Sequence, residues 1–251
     1  MSLDSATPRE FEAPEGALAD RVILITGASD GIGRALAIEC AKKGALVIAQ
    51  GRRRKKLKAL ADDIEASGGI EPILVPMDFL KAEGGVYLSL AEQIEKDFGR
   101  LDGLVHCAGM LGEMTEIEDY DAAVWQQVMH VNVTSGFALT KVLLPLLKQS
   151  KGAIVFTSSS VGRKGRAFWG AYSVSKFAVE GLAQTLADEL GKADVSVNVV
   201  NPGATHTNMR AQAYPAEDKN AIATPQAVLP PFMYFLCEAD RSITGHSVNA
   251  Q

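Results

Sequence analysis

The chain has 251 residues, 47% hydrophobic and 22% charged, with a formal net charge of −5. That length and balance suit one α/β domain of roughly 200–250 residues, and the acidic excess argues against a general nucleic-acid binder, which is usually basic. No apolar run approaches the roughly 20 residues that cross a bilayer, and three scattered cysteines, Cys40, Cys107 and Cys237, fit reduced thiols in the cytoplasm better than a disulfide frame or a zinc site.

Residues 1–20 carry acids and prolines without a basic head or an apolar centre, which reads as an N-terminal arm rather than a signal peptide. Residues 21–251 read as one domain. Apolar runs of strand length at 22–26, 46–49, 73–77, 104–107, 153–157 and 195–200 alternate with helical patterns at 33–43, 55–67, 86–98, 122–147 and 172–190. Nearly continuous Val/Ile/Leu strands suit a parallel sheet covered on both faces. Alternation with helices gives right-handed crossovers, hence a doubly wound α/β sheet of the Rossmann type, flanked by helices on both faces. Ligands of such sheets bind beyond the carboxyl ends of the strands. Residues 204–223 loosen into a polar stretch with Tyr214-Pro215, expected to form a flap over the site.

Between the first strand and the first helix lies Thr26-Gly-Ala-Ser-Asp-Gly-Ile-Gly33. Glycine permits torsions and approaches that a Cβ would block, and the free N–H groups opening the helix then face an anion. Gly27, Ser29, Asp30, Gly31, Ile32 and Gly33 are therefore candidates for a phosphate cradle. An ATPase loop would need Gly-Lys-Ser/Thr, whereas Gly33 is followed by Arg34 and Ala35. A glycine turn that only packs strand against helix is the plainer alternative.

Tyr172-Ser-Val-Ser-Lys176 places a phenol and an ammonium four residues apart on one helix face. A phenol of pKa about 10 is a poor acid or base at neutral pH, and a fixed cation lowers that pKa. Alone the spacing is weak. Here it follows the Ser158-Ser159-Ser160 strand end in a chain that opens on a glycine loop.

With these companions, the Gly-x-x-x-Gly-x-Gly spacing resembles the short-chain dehydrogenase/reductase family, in its compact single-domain branch, over about residues 21–248. Within it, Thr-Ser-Ser-Ser-Val-Gly-Arg, the Trp-Gly-Ala-Tyr lead-in and the Asn-Ala-Gln ending resemble the YciK-like oxidoreductases. The resemblance implies a catalytic set of Ser159, Tyr172, Lys176 and Asn132. Tyr172 would exchange the proton, Lys176 would tune it and hold the cofactor ribose, Ser159 would orient the substrate oxygen, and Asn132 would hold a water behind Lys176. It further implies that Asp78, followed by Phe79, receives the adenine amino group, and that Pro202, Gly203, Thr205 and Thr207 hold the nicotinamide end. At the fourth strand many relatives read Asn-Asn-Ala-Gly, where this chain has His106-Cys107-Ala108-Gly109. The side-chain bonds of the asparagine pair are lost there, while the backbone of Cys107, Ala108 and Gly109 still approaches the cofactor.

The second strand ends Ala49-Gln50-Gly51-Arg52, without the acid that would bind an NAD ribose. A basic run from Arg52 to Lys56 follows, opposing the dipole of the helix it opens. A 2′-phosphate relieves that conflict, and guanidinium suits phosphate. NADP is expected, with NAD as the alternative, Arg52 as main contact and Arg53 as second. A solvated basic face is the competing reading, and Asp30 in the glycine loop counts against NADP. The expected reaction is hydride transfer between a nicotinamide and a small carbonyl or secondary-alcohol substrate. A silent dinucleotide-binding regulator or scaffold is the alternative, against which the complete Ser/Tyr/Lys set speaks; an epimerase or dehydratase usually needs a larger substrate domain.

The four histidines form no metal spacing, and no metal is expected. Arg163, Lys164 and Arg166 either attract an anionic substrate or are surface charge. Trp169, Met110 and Leu111 either line the pocket or pack beneath it. The helices at 122–147 and 172–190 carry Phe137, Phe177, Leu182 and Leu186 on more than one face, so a homo-oligomer is expected, a dimer at least, with a tetramer left open.

Overall fold

The computed structural model describes residues 8–191 and 195–251. In chain order it holds β1 (Val22–Thr26), α1 (Gly31–Lys42), β2 (Leu46–Gly51), α2 (Arg54–Ala66), β3 (Ile73–Pro76), α3 (Gly84–Phe98) and β4 (Gly103–His106). Then come α4 (Ala122–Met129), a π-helical turn (His130–Thr134), α5 (Ser135–Ser150), β5 (Ala153–Thr157), α6 (Gly170–Leu190) and β6 (Ser196–Asn201). The last elements are α7 (Asn208–Ala213), α8 (Pro230–Cys237) and β7 (Ser247–Asn249).

All seven strands are parallel in one sheet, ordered β3-β2-β1-β4-β5-β6-β7. The direction of winding reverses between β1 and β4, which opens a crevice at their carboxyl ends. Alternate residues of β1 feed opposite layers. Ile23 and Ile25 join Leu36 of α1, Leu60 of α2 and Phe232 of α8, while Val22 and Leu24 join Ile94 of α3, Leu143 of α5 and Val179 of α6.

The long fourth helix departs from the sequence expectation. It is broken by the π-helical turn, which carries Asn132; such turns widen a helix locally and often occur at functional sites. Three elements escaped the sequence reading. α8 buries six of its eight residues and opens on Pro230-Pro231, so it shows no polar stripe to mark a helical period. β7 has three residues, and α7 has six, within the expected flap. Of the N-terminal arm, residues 1–7 lie outside the described residues. The remainder packs on the domain: Leu18 is fully buried, its N–H donates to the Lys43 carbonyl, and Phe11 meets Tyr234 edge-on at 5.4 Å.

Candidate active site

Three backbones meet at the crevice. Gly27 has φ +66°, and a Cβ there would lie 2.8 Å from the Ala108 nitrogen; one on Gly33 would lie 2.6 Å from the Gly27 carbonyl oxygen. Only glycine lets the loop press on both β4 and α1. Thr26 Oγ1 accepts from the Cys107 and Ala108 N–H groups, both at 3.1 Å, which ties β1 to the end of β4. Asp30 caps α1 by accepting from Gly31 N–H at 3.0 Å.

A cavity of about 590 Å³ fills the crevice. The whole glycine loop candidate set lines it, as do Arg52, Arg53, Asp78, Phe79, Cys107, Ala108, Gly109, Pro202, Gly203, Thr205 and Thr207. Ser159, Tyr172 and Lys176 line the same cavity. Asn132 stands just behind, on a void of about 10 Å³ that it shares with Lys176, His106 and Thr157; that is room for one water.

The basic run divides sharply. Asp30 holds Arg53 at 3.1 Å and Lys56 at 2.5 Å. Burial pushes its carboxyl up, but Lys56, the Asn208 amide and the Gly31 N–H together hold it below the usual range. Arg52 lines the cavity and has no ion-pair partner among the described residues. A cradle of helix N–H groups with one uncommitted guanidinium fits a dinucleotide carrying an extra phosphate. Arg53, expected as the second phosphate contact, is engaged by Asp30.

The candidate catalytic residues line one cavity, and burial dominates the titration of Tyr172 and Lys176. Tyr172 is buried, and burial pushes its hydroxyl up to about 12, with the hydrogen bond to Ser159 acting in the opposite direction. Lys176 donates to the Thr157 carbonyl at 2.7 Å and sits 5.5 Å from the centroid of the Tyr172 ring. Burial brings Lys176 down to about 8. Burial and Ser159 set the shift of the phenol, while the Thr157 carbonyl holds the ammonium.

The Asn132 side chain is bonded within the protein. Its amide nitrogen donates to the Met110 carbonyl and to Ser175 Oγ, both at 2.9 Å, and its Oδ1 accepts from Met110 N–H at 2.7 Å. Both amide hydrogens are taken, so this side chain positions the β4–α4 connection against α6, and a water in the void beside it would donate to Asn132 rather than accept from it. His106, in place of the relatives' asparagine, stacks on Phe156 at 4.6 Å and pairs with Thr140 Oγ1 at 2.9 Å. Burial pushes it down to about 3, so it is neutral. Cys107 is pushed up to about 11 by burial, which makes it an inert thiol.

Thr205 turns its hydroxyl to the Pro202 and Gly203 carbonyls, and Thr207 caps α7 by accepting from Arg210 N–H at 3.1 Å. Two site residues escaped the sequence reading. Buried Gln50 accepts from Gly27 N–H at 3.1 Å and donates to the Met77 carbonyl at 2.7 Å, joining the glycine loop to the end of β3. In the sequence, Gln50 shows only that the second strand ends without an acid. Asn208 reaches back to Asp30 from α7, and nothing in local spacing points to a contact so distant in the chain.

A parallel sheet with a glycine cradle at its reversal point and a buried Tyr/Lys pair beside a serine defines a dinucleotide-dependent oxidoreductase site. The short chain dehydrogenase family profile matches residues 21–218, and the chain belongs to that family, whose members act between CH–OH and C=O. It is 45% identical over 242 residues to the uncharacterized oxidoreductase YciK of Escherichia coli (strain K12), covering 96% of each chain. A short chain dehydrogenase from Shigella flexneri 2a str. 301, complexed with NADP, superposes with TM-score 0.92 at 45% identity, over 95% of this chain and 100% of that one. One from Escherichia coli CFT073, complexed with NADPH, gives TM-score 0.91 at 46% identity, again over 95% and 100%. No described helix is long and apolar enough to cross a membrane.

Proposed function

We propose that the protein is an NADP-preferring reductase or dehydrogenase that interconverts a small carbonyl compound and its secondary alcohol in the cytoplasm, using Ser159, Tyr172 and Lys176. The observation that carries this reading is the single cavity lined by all three side chains, the glycine loop and the uncommitted Arg52. NADP-bound relatives support the cofactor assignment. When bound, the nicotinamide supplies or accepts the hydride.

In the reductive direction Tyr172, neutral at physiological pH, donates its proton to the carbonyl oxygen as negative charge develops there. Ser159 donates a hydrogen bond to the same oxygen and fixes its position. The Lys176 ammonium, close behind the Tyr172 ring, offsets the phenolate that forms. Reprotonation of Tyr172 draws on the one-water void that touches Lys176. Positioned proton transfer of this kind contributes roughly 10²–10⁴-fold.

The decisive experiment compares wild type and Tyr172→Phe in an NADPH-consumption screen over aldehydes and ketones. The variant keeps the ring and loses the proton, so turnover collapses while NADP affinity holds. Near-normal turnover by the variant overturns the mechanism. The silent-scaffold reading predicts no consumption by either protein.

Self-association belongs to the same proposal. Phe137 on α5 and Val174 and Phe177 on α6 are 51%, 43% and 46% exposed. Apolar side chains of that size on neighbouring long helices suit burial against a second copy.

A further inference from the structure

We propose that this site takes an uncharged carbonyl compound with a ring-sized apolar body, and that Trp169 is the wall that selects it. The proposal rests on the carbonyl/alcohol reading above and concerns what surrounds the reacting oxygen. Leu111, Val161, Trp169 and Tyr172 form a buried apolar cluster of their own, apart from the two cores that flank the sheet. Met209 and Ala213 of α7 pack against it, as does Tyr214. Leu111, Trp169, Met209 and Ala213 also line the cavity beyond Tyr172. Tyr172 therefore shares this apolar cluster with side chains that line the cavity.

Trp169 sits at the centre of that wall. Its ring lies 5.7 Å from Tyr172 and 5.9 Å from Tyr214, tilted by 52° and 46°. The ring is 7% exposed, so packing fixes its position and only a small part of it meets the cavity, where a ligand ring could pack against it.

The nearby cationic side chains of Arg163, Arg166, Lys176 and Arg210 each have a hydrogen-bond partner within the protein, and two of them are ion-paired. Arg210 pairs with both oxygens of Glu217 and lies 3.9 Å over the Tyr214 ring. Arg166 donates to Tyr214 Oη at 2.7 Å, and Arg163 is held by Glu180, Ser247 and Asn249. Arg163, Lys164 and Arg166, which the sequence offered as attractors of an anion, are absent from the cavity wall. The Glu113 carboxylate, which does line it, accepts from Asp121 N–H at 3.1 Å. Lys176 is held by the Thr157 carbonyl. An anionic substrate would lose its hydration against Leu111, Trp169 and Met209, where Arg210 is already paired with Glu217 and Glu113 adds a like charge, which is unfavourable. A neutral ring buries apolar area there, which is favourable.

The test titrates NADP-loaded wild type, Trp169→Ala and Trp169→Phe by calorimetry with a matched pair of ligands. One is cyclohexanone bearing a tert-butyl group on the far carbon; the other bears a carboxylate at the same place. The neutral ketone is expected to bind wild type about tenfold or more tightly than the carboxylate. Trp169→Ala should erase most of that preference, and Trp169→Phe should keep most of it. Equal or tighter binding of the carboxylate, no detectable binding of the neutral ketone, or an unchanged preference in Trp169→Ala each overturns the proposal. Failure of the redox reading would look different: the neutral ketone would bind as expected, yet NADPH would not be consumed, or Tyr172→Phe would consume it as fast as wild type.

Discussion

Asp30 and Asn208 hold each other across the mouth of the cavity, the Asn208 amide donating to both carboxylate oxygens of Asp30 at 3.1 and 2.9 Å. Asp30 caps the first helix of the glycine loop, and Asn208 opens α7, 178 residues later. The root of α7 is thereby fastened to the glycine loop. An exposed hydrogen bond contributes only about 0.5–1.5 kcal/mol net, so it governs a local opening more than global stability.

Asn208→Ala should therefore speed proteolytic cleavage within residues 204–223 and raise the substrate KM, with little change in the denaturation midpoint. A digestion time course with a mass readout checks it. Unchanged cleavage would show that other contacts hold the flap.

Asn132→Ala removes three hydrogen bonds and leaves Met110 N–H and C=O without their partner. Met110 is part-buried, so each orphaned group costs less than the about 1–3 kcal/mol of a fully buried one, and the urea midpoint should fall at constant m-value. Turnover should drop as the β4–α4 connection loosens. A midpoint within error of wild type would mean that Asn132 is not the clamp described above.

The sequence disclosed residues that act through type and local spacing. β1 and β5 have the bounds their apolar runs predicted, and the glycine loop, Ser159, Tyr172 and Lys176 line one cavity. What it concealed depends on partners brought together by the fold. The reach of Gln50 from β2 to the glycine loop and β3, and the capture of Arg53 and Lys56 by Asp30, have no local period. Tyr172 was read from the charge four residues away, but its titration is set by desolvation, which depends on depth. α8 was missed because a helix buried nearly all round loses the alternation that marks a helix.

His106 makes a pH prediction with a definite sign. In the folded chain it stays neutral down to about 3, because burial, aided by the Lys176 charge, depresses its pKa from 6.5. Between these values the unfolded chain takes up a proton that the folded chain does not. Stability from this residue is thus present above the unfolded value and lost as pH falls, by roughly tenfold in the folding equilibrium per pH unit. His106→Asn removes the titrating group, so its denaturation midpoint should fall less steeply with acidification below pH 6.5 than that of wild type. Parallel slopes in the two proteins would refute the assignment.

Phe177→Glu tests self-association, since it places a charge where 46% of the side chain is exposed and leaves the core untouched. Wild type should show a dimeric or larger mass by light scattering at micromolar concentration, and the variant a smaller one. A monomeric wild type ends the proposal.

Cofactor choice follows from the division of the basic run. Arg52 stands in the cavity wall without an ion pair among the described residues, whereas Arg53 and Lys56 are bound to Asp30. A charge-assisted hydrogen bond is worth roughly 1.5–3 kcal/mol, and about 1.4 kcal/mol is tenfold in affinity. Arg52→Ala should therefore weaken NADP binding about ten- to a hundredfold and leave NAD nearly unchanged. Arg53→Ala should matter less, because Asp30 already holds its guanidinium. Asp30→Asn is the sharper test: asparagine caps a helix as well as aspartate, but it lacks the charge that restrains Arg53 and Lys56. Those two cations should then become available, so this variant should bind NADP more tightly than wild type, and more so at low salt. Calorimetric titrations of all three variants with NADP and NAD at fixed ionic strength decide the matter. If wild type binds both cofactors equally, or if Asp30→Asn weakens NADP selectively, the carboxylate does not restrain the phosphate site and Arg52 is not its principal cation.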